Sequence, residues 1–166
     1  MNDRPADPTP DRADELRGPL QALYAELDRE IEVLAPRCEL SGRCCRFDEY
    51  GHTLFLTEAE AVILIADAPP PSRPLDGGQT CPWQDVAGRC TARQARPLGC
   101  RVYFCDPAYE PHAGPITERY LLGLRQIAAE LALPWNYAPL HQHLERASDE
   151  GRFIKMLDTN PSDQYS

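Results

Sequence analysis

Apolar residues recur at three- and four-residue steps early in the chain, and this spacing predicts one apolar face of an α-helix. The positions are Leu16, Leu20, Leu23, Tyr24, Leu27, Ile31 and Leu34. Pro19 suits the first turn of this helix, where the N–H that proline lacks would have no partner. Pro36 ends the helix. Residues 1–14 are rich in Pro, Asp and Arg and predict a disordered tail.

Further along, the pattern predicts short elements separated by turns. Residues 52–56 predict a short strand, and Thr57 and Glu60 form a capping box that starts a helix over residues 57–67. A loop rich in Pro and Gly follows over residues 68–78. Two more helices are predicted over residues 117–133 and 139–150, and a second short strand over residues 153–157. The inward positions of the 117–133 helix are Tyr120, Leu121, Leu124, Ile127, Ala128 and Leu131.

The segments 38–48 and 81–105 lack periodicity, and they hold all of the cysteines. Irregular backbone is costly to bury unless its polar groups are satisfied, and a metal bound by both segments would supply that order. The predicted fold is therefore mainly α, with irregular cysteine-rich metal-binding loops and one short β-sheet. It forms a single domain over residues 15–157, followed by a polar tail over residues 158–166.

Charge and hydropathy narrow the classes of function. The chain has 166 residues and a formal net charge of −9, which argues against binding to nucleic acid. The longest apolar run, residues 61–66, is far shorter than the roughly 20 residues of a membrane span. The N-terminus has no apolar stretch typical of a secretory signal, so a cytoplasmic location is expected. Thiols stay reduced there, which favours metal ligation or catalysis over disulfides.

The seven cysteines fall in two groups and are the strongest functional signal in the chain. They are Cys38, Cys44, Cys45, Cys81, Cys90, Cys100 and Cys105. The odd count and the adjacent Cys44–Cys45 pair argue against a disulfide framework. Two tight groups are also atypical of cysteines that only fill a core. No C-x-x-C redox motif is present. Thiolates are soft ligands, so the pattern predicts zinc or an iron–sulfur cluster.

An iron–sulfur cluster, of the 4Fe–4S type, is the preferred cofactor, with zinc as the alternative. Zinc sites commonly use C-x₂₋₄-C pairs, and only Cys100 and Cys105 have that spacing. A four-thiolate site is strongly anionic, and arginine accounts for every basic residue except Lys155. One or two of the arginines beside the cysteines are expected to support such a site. These are Arg37, Arg43, Arg46, Arg89, Arg93, Arg96 and Arg101.

The two cysteine groups together resemble the bacterial YkgJ-type cysteine-cluster family, a zinc- or iron-chelating domain with a CxxCxxCC signature. The run Arg96-Pro97-Leu98-Gly99-Cys100-Arg101-Val102-Tyr103-Phe104-Cys105 resembles the family's R-P-x-x-C-R-x-x-x-C segment. The resemblance covers about residues 36–106 and implies metal binding. It departs at Ser41, where the signature has a cysteine, so either that position is dispensable or one ligand has been lost. A similar module in a flagellin lysine methylase implies an enzyme as one alternative.

Other polar residues are weaker candidates. His52 and His112 lie near the cysteine segments and are possible substitute ligands. His141 and His143 are two residues apart on a helix, so they do not share a face and are expected at the surface. Carboxylates flank the cysteines and could serve as bases or ligands, although solvated charges are the simpler interpretation. They are Asp48, Glu49 and Asp106.

Three classes of function follow from this pattern. The leading hypothesis is a cytoplasmic cysteine-ligated metalloprotein that acts in electron transfer or metal handling. The alternatives are a metal-dependent redox or protein-modifying enzyme, and an interaction protein stabilised by structural zinc. Four cysteines drawn from both groups should form the principal site. The set Cys38, Cys45, Cys81 and Cys100 is one choice among several that the spacing allows.

Overall fold

The computed structural model describes residues 9–38 and 41–153. These residues form five α-helices and one two-stranded antiparallel sheet, which confirms a mainly α fold with one short sheet. The helices are α1 (Thr9–Leu34), α2 (Glu58–Asp67), α3 (Leu98–Arg101), α4 (Glu110–Glu130) and α5 (Leu140–Asp149). The strands are β1 (Phe55–Leu56) and β2 (Ala138–Pro139). The tail predicted at residues 158–166 lies outside the described part.

Helix α1 begins at Thr9, before the first apolar position that predicted it. Its buried face extends back to Ala13. Packing therefore stabilises helical residues that the sequence composition placed in the disordered tail. Pro19 lies inside this helix, and the prediction that it occupies the first turn was wrong. Residues 1–8 lie outside the described range. The helix ends at Leu34, and Ala35 adopts a positive φ of 46° before Pro36.

Helix α2 has the predicted capping box. The Glu60 backbone N–H donates to the Thr57 hydroxyl at 3.2 Å, and the Thr57 N–H donates to the Glu60 carboxylate at 2.9 Å. Helix α4 begins at Glu110 instead of near Thr117. The Thr117 hydroxyl donates to the Ala113 carbonyl at 2.7 Å, a bond inside a helix and not a cap. The helix therefore starts seven residues earlier than the sequence predicted.

The sheet joins the chain's centre to its C-terminal part. Phe55 pairs with Pro139 and Leu56 pairs with Ala138. Only these two residues of the predicted 52–56 strand are extended in a sheet. The second strand comes from residues before α5, because the described Phe153 has no strand conformation. The remaining residues of the predicted 153–157 strand lie beyond the described range.

The molecule has two hydrophobic cores. The first lies among α1, α2 and α4 and includes Leu20, Leu27, Tyr120 and Leu124. The second lies among α2, α5 and the irregular segments, and it includes buried Cys45 and Cys81 with Trp83. The cysteine segments are thus anchored on the second core. No helix of the described residues is long and apolar enough to cross a membrane.

Candidate metal centre

The fold gathers all seven cysteines around two adjoining cavities. A cavity of about 240 Å³ is lined by Cys38, Cys44, Cys45, Cys90, Cys100 and Cys105. A smaller one, of about 20 Å³, is lined by Cys44, Cys45, Cys81, Cys90 and Cys100. All seven are free thiols. Groups separated by more than 30 residues in the chain therefore meet in one place, as the metal hypothesis expects.

The first cysteine group turns sharply at Gly42. This glycine has a φ of 73°, and a short 3₁₀ turn, Arg43–Cys45, follows it. The turn places the sulfurs of Cys44 and Cys45 4.0 Å apart. A Cβ at Gly42 would lie 2.5 Å from the Gly88 carbonyl oxygen and 2.6 Å from Gln84 Nε2. Glycine is required here both by the backbone angle and by this close approach.

Gln84 clamps the two cysteine groups together. Its side chain is buried, and its Nε2 donates to the Gly42 carbonyl and to the Gly88 carbonyl, each at 3.1 Å. Backbone bonds reinforce the clamp, since the Cys81 N–H donates to the Cys45 carbonyl at 2.7 Å. The irregular backbone is thus satisfied by long-range hydrogen bonds. Sequence reasoning missed Gln84, because no local motif marks it.

A buried carboxylate, that of Glu60, positions the short helix that carries Cys100. Cys100 lies in α3, whose first N–H, that of Leu98, donates to Glu60 Oε1 at 2.6 Å. The Tyr24 hydroxyl donates to the same oxygen at 2.8 Å. Burial raises the pKa of Glu60, against these hydrogen bonds, which lower it. The sequence predicted Glu60 as a helix cap only, and its link to α1 and α3 is a finding of the tertiary structure.

Cys38 and Cys105 line the larger cavity but not the smaller one. Asp106 ties their segments together, because its Oδ2 accepts from the Arg37 backbone N–H at 2.9 Å. That bond and the bond from the Ala108 N–H lower the pKa of Asp106. Asp106 therefore acts as a loop tether. Cys38 is exposed, whereas Cys45 and Cys81 are buried.

The thiols of the inner group perturb one another. Hydrogen bonding from the Cys45 thiol lowers the pKa of Cys44 to about 7 and that of Cys90 to about 6. The same contacts raise the pKa of Cys45 itself. Burial, followed by the charge of Cys81, raises the pKa of Cys100. Two of these thiols are thus predisposed to be thiolates near neutral pH, the form that binds metal.

Four arginines line the larger cavity, namely Arg43, Arg89, Arg93 and Arg96. The others named from the sequence point to different partners. Arg101 pairs with Asp28 at 3.0 Å and lies over the Tyr24 ring at 4.2 Å, so it braces α3 against α1. Arg46 pairs with Glu49. Arg37 uses its backbone N–H on Asp106.

The histidines take varied positions. His52 stacks on Tyr103 with ring centroids 5.1 Å apart, and its Nε2 lies 3.4 Å from the Cys44 carbonyl oxygen. It touches the cysteine region, whereas His112 is exposed on α4 and lines neither cysteine cavity. The prediction that His143 lies at the surface was wrong. It is buried, and its Nε2 donates to the Leu56 carbonyl at 2.8 Å.

The remaining candidates add little to the site. His141 is half-buried and packs against Gly78. Asp48 and Glu49 are exposed and line neither cysteine cavity. Ser41 lines the larger cavity, and its hydroxyl accepts from the Arg43 N–H at 3.4 Å. Ser41 thus lies in the wall of the larger cavity beside the first cysteine group.

The donors of the site are thiolates, which both zinc and iron–sulfur clusters accept. Within residues 9–38 and 41–153, no group of three or more His, Cys, Asp or Glu side chains is arranged to hold a metal ion. A tetrahedral zinc site needs four sulfurs about 3.8 Å apart, given Zn–S bonds of about 2.3 Å. The Cys44–Cys45 separation of 4.0 Å is near that value. A polynuclear cluster spreads its thiolates further apart, because each binds a different iron.

No family model, curated protein or solved structure matches the chain.

Proposed function

We propose that this protein binds an iron–sulfur cluster of the 4Fe–4S type through cysteines from both groups, with zinc as the alternative metal. The observation that carries the proposal is the convergence of seven free thiols on two adjoining cavities. Four thiolates suffice for one such centre, and two of the seven thiols, Cys44 and Cys90, have pKa values lowered to about 7 and about 6. The resemblance to the cysteine-cluster family, whose signature departs at Ser41, supports the same proposal.

The proposed ligands are the four cysteines that line both cavities: Cys44, Cys45, Cys90 and Cys100. Cys81 lies behind them in the smaller cavity. Bound there, a cluster would supply one-electron redox chemistry, and these residues would exclude water from its inner side. We propose a role in electron transfer or metal handling in the cytoplasm, where free thiols persist.

The larger cavity gives the enzyme alternative specific support. Its walls include exposed residues, among them Cys38, Arg43 and Arg89, so it opens to solvent beside the proposed ligands. A structural zinc site is normally closed by four protein ligands, whereas a reactive centre keeps a position open. The open cavity therefore favours a metal-dependent redox or protein-modifying enzyme over a structural-zinc interaction protein as the second candidate.

The test is the metal and acid-labile sulfide content of protein purified without oxygen, together with its visible spectrum. Iron and sulfide in near-equal amounts with a brown chromophore would support the cluster. Stoichiometric zinc without sulfide would replace it with the zinc alternative. Protein that binds neither metal under reconstitution would contradict the proposal.

Serine variants test the ligand assignment. Cys90→Ser and Cys100→Ser should each lose most of the metal and lower the thermal stability, since binding free energy at such a site is also folding free energy. Cys38→Ser is the matched control and should keep its metal, because Cys38 is exposed and lines only the larger cavity. Full metal occupancy in Cys90→Ser or Cys100→Ser would remove that residue from the ligand set.

A further inference from the structure

The larger cavity carries more positive charge than its cysteines require. Arg43, Arg89, Arg93 and Arg96 line it, and none of them forms an ion pair with a carboxylate among the described residues. In a chain of net charge −9, acidic partners are plentiful elsewhere. Seven other arginines of the described residues do pair with them: Arg12, Arg17, Arg46, Arg101, Arg119, Arg146 and Arg152.

The segment that carries Arg93 and Arg96 is rigidly held. Arg101 donates to the Arg96 carbonyl at 2.7 Å and to the Gln94 carbonyl at 3.0 Å, and it is itself anchored on Asp28. Arg96 uses its Nε on the Arg93 carbonyl at 3.0 Å. Its two terminal nitrogens make no hydrogen bond to any described residue. A guanidinium fixed in this way can bind the oxygens of a carboxylate or a phosphate through its two terminal nitrogens.

Charge balance argues that the arginines do more than offset the thiolates. A divalent metal core with four thiolates has a net charge of about −2. Four guanidiniums, which stay protonated in proteins, exceed that charge by about two. Arg43 also lies over the Tyr50 ring at 5.2 Å, so a stacking contact and not an anion holds it in place. The cavity as a whole is left attractive to an anion.

We propose that the larger cavity binds a small organic or inorganic oxyanion, a carboxylate or a phosphate, against Arg93 and Arg96 beside the metal centre. Arg43 and Arg89 complete the positive rim. Tyr103 and Phe104 form an apolar part of the wall, which suits a ligand with a short carbon or ring portion. The volume of about 240 Å³ is shared with the centre, whose ligands line the same cavity, so the remaining space suits a small anionic group. The inference rests on the proposed function, since the anion would be the ligand presented to the centre.

The binding test uses titration calorimetry at low ionic strength on anaerobically purified full-length protein. Inorganic pyrophosphate and succinate are the two probes, and succinamide is the neutral control. Binding of pyrophosphate alone would assign a phosphate ligand, and binding of succinate alone a carboxylate. In either case the affinity should fall as salt is added, because the contacts are electrostatic. Metal content and the visible spectrum are recorded on the same samples.

Arginine variants locate the site. Arg93→Gln/Arg96→Gln should weaken binding of the favoured probe by at least about tenfold while keeping the metal. Arg29→Gln/Arg125→Gln removes the same charge from residues that do not line the cavity, and it should stay within about twofold of the parent. Equal weakening by both pairs would mean that only net charge matters, and it would overturn the assignment.

The outcomes separate this inference from the proposed function. Wild-type protein that holds its metal but binds neither probe would overturn the anion site alone. Loss of metal from Arg93→Gln/Arg96→Gln, without anion binding by the wild type, would show that the arginines only offset thiolate charge. Protein that binds a probe through Arg93 and Arg96 but never takes up metal would overturn the proposed function and leave the anion site standing.

Discussion

Gly42 lies where the two cysteine-bearing turns meet, and its lack of a side chain lets them meet. Its backbone has a φ of 73°, and a Cβ there would lie 2.5 Å from the Gly88 carbonyl oxygen, which is too close. Gln84 bonds both carbonyls at this contact, so the polar groups of two irregular segments satisfy one another. Adding even a methyl group at Gly42 would therefore displace the turn that carries Cys44 and Cys45.

Gly42→Ala should destabilise the protein by about 2 kcal/mol more than Gly77→Ala, because it adds a backbone clash to the same unfavourable φ. Gly77 is the matched control, since it has the same φ of 73° and a Cβ added there would meet nothing within 4 Å. Urea unfolding of the two variants measures the difference. Equal stabilities would show that the turns can separate freely.

Arg101 shows how a side chain beside a cysteine can serve a purpose other than the metal. It is one of the seven arginines beside the cysteines, of which one or two were expected to support the centre. Instead it spans from α3 to Asp28 of α1 and holds the Arg93–Ala95 turn through carbonyl contacts. Its contribution to the site is positional, because it fixes the backbone on which Arg96 and Cys100 are carried.

At the scale of elements, Glu60 connects three helices. It caps α2, accepts from Tyr24 of α1 and accepts from the first N–H of α3. Buried carboxylates are costly unless each oxygen is hydrogen-bonded, and here both oxygens are. The position of Cys100 is thus set by a residue 40 positions earlier in the chain, through contacts that also define the first core.

Glu60→Gln should lower the free energy of unfolding by about 2 kcal/mol, because the new amide NH₂ would face groups that donate hydrogen bonds. Tyr24→Phe removes only one donor and should cost about 1 kcal/mol. Chemical denaturation of both variants checks this order. A Glu60→Gln variant as stable as the wild type would mean that the carboxyl is already protonated and donates one of these bonds itself.

His143 links α5 to β1 and makes this contact sensitive to pH. Its Nε2 donates to the Leu56 carbonyl, while its buried Nδ1 has no hydrogen-bond partner among the described residues and lies 3.8 Å from Glu58 Oε2. Burial lowers the pKa of His143 below its ordinary value of 6.5, although the nearby Glu58 acts in the opposite direction and Arg146 and Arg152 add to the lowering. The native state therefore binds this proton less readily than the unfolded chain.

Stability should consequently fall as pH drops below about 6.5, since the unfolded state gains a proton that the native state does not. Above that value the imidazole is neutral in both states and its titration has no effect. His143→Gln keeps a donor for Leu56 but does not titrate, so its stability should depend less on pH between about 6.5 and about 5. Thermal unfolding across this range compares the two proteins, and parallel pH profiles would contradict the assignment.

At the scale of the whole molecule, the two cores differ in whether they contain cysteines of the proposed centre. The first core is formed mainly by long helices with regular hydrogen bonding. The second core includes Cys45 and Cys81. The irregular segments that carry them are joined by isolated hydrogen bonds, such as the one from the Cys81 N–H to the Cys45 carbonyl. Removing the metal of the proposed centre should therefore loosen the second core while leaving the first intact.

Hydrogen exchange with and without a chelator measures this difference. Amides of residues 41–48 and 79–91 should lose protection on metal removal, whereas those of α1 and α4 should retain it. The Cys38→Ser variant serves as a metal-retaining control. Uniform loss of protection over both cores would indicate that the molecule unfolds as one unit when the metal leaves.

Several elements were predictable because their causes are local. The Thr57–Glu60 capping box involves residues three apart, and the apolar steps of α1 repeat within four residues. The predictions that failed had local signals with a different tertiary outcome. Thr117 resembles a cap but bonds inside α4, and His143, which was expected at the surface, faces the core.

The sequence by itself determined that the chain is mainly helical, where α2 starts, and that seven thiols lie in two groups along the chain. Only the tertiary structure decided which of them lie together, because the contacts that bring them close join distant residues. Gln84 reaches Gly42 across 42 positions, and Glu60 reaches Leu98 across 38. Such contacts depend on how the helices pack, and no periodic pattern in the sequence indicates them. The cavity and the arginines that line it could therefore be identified only from the fold.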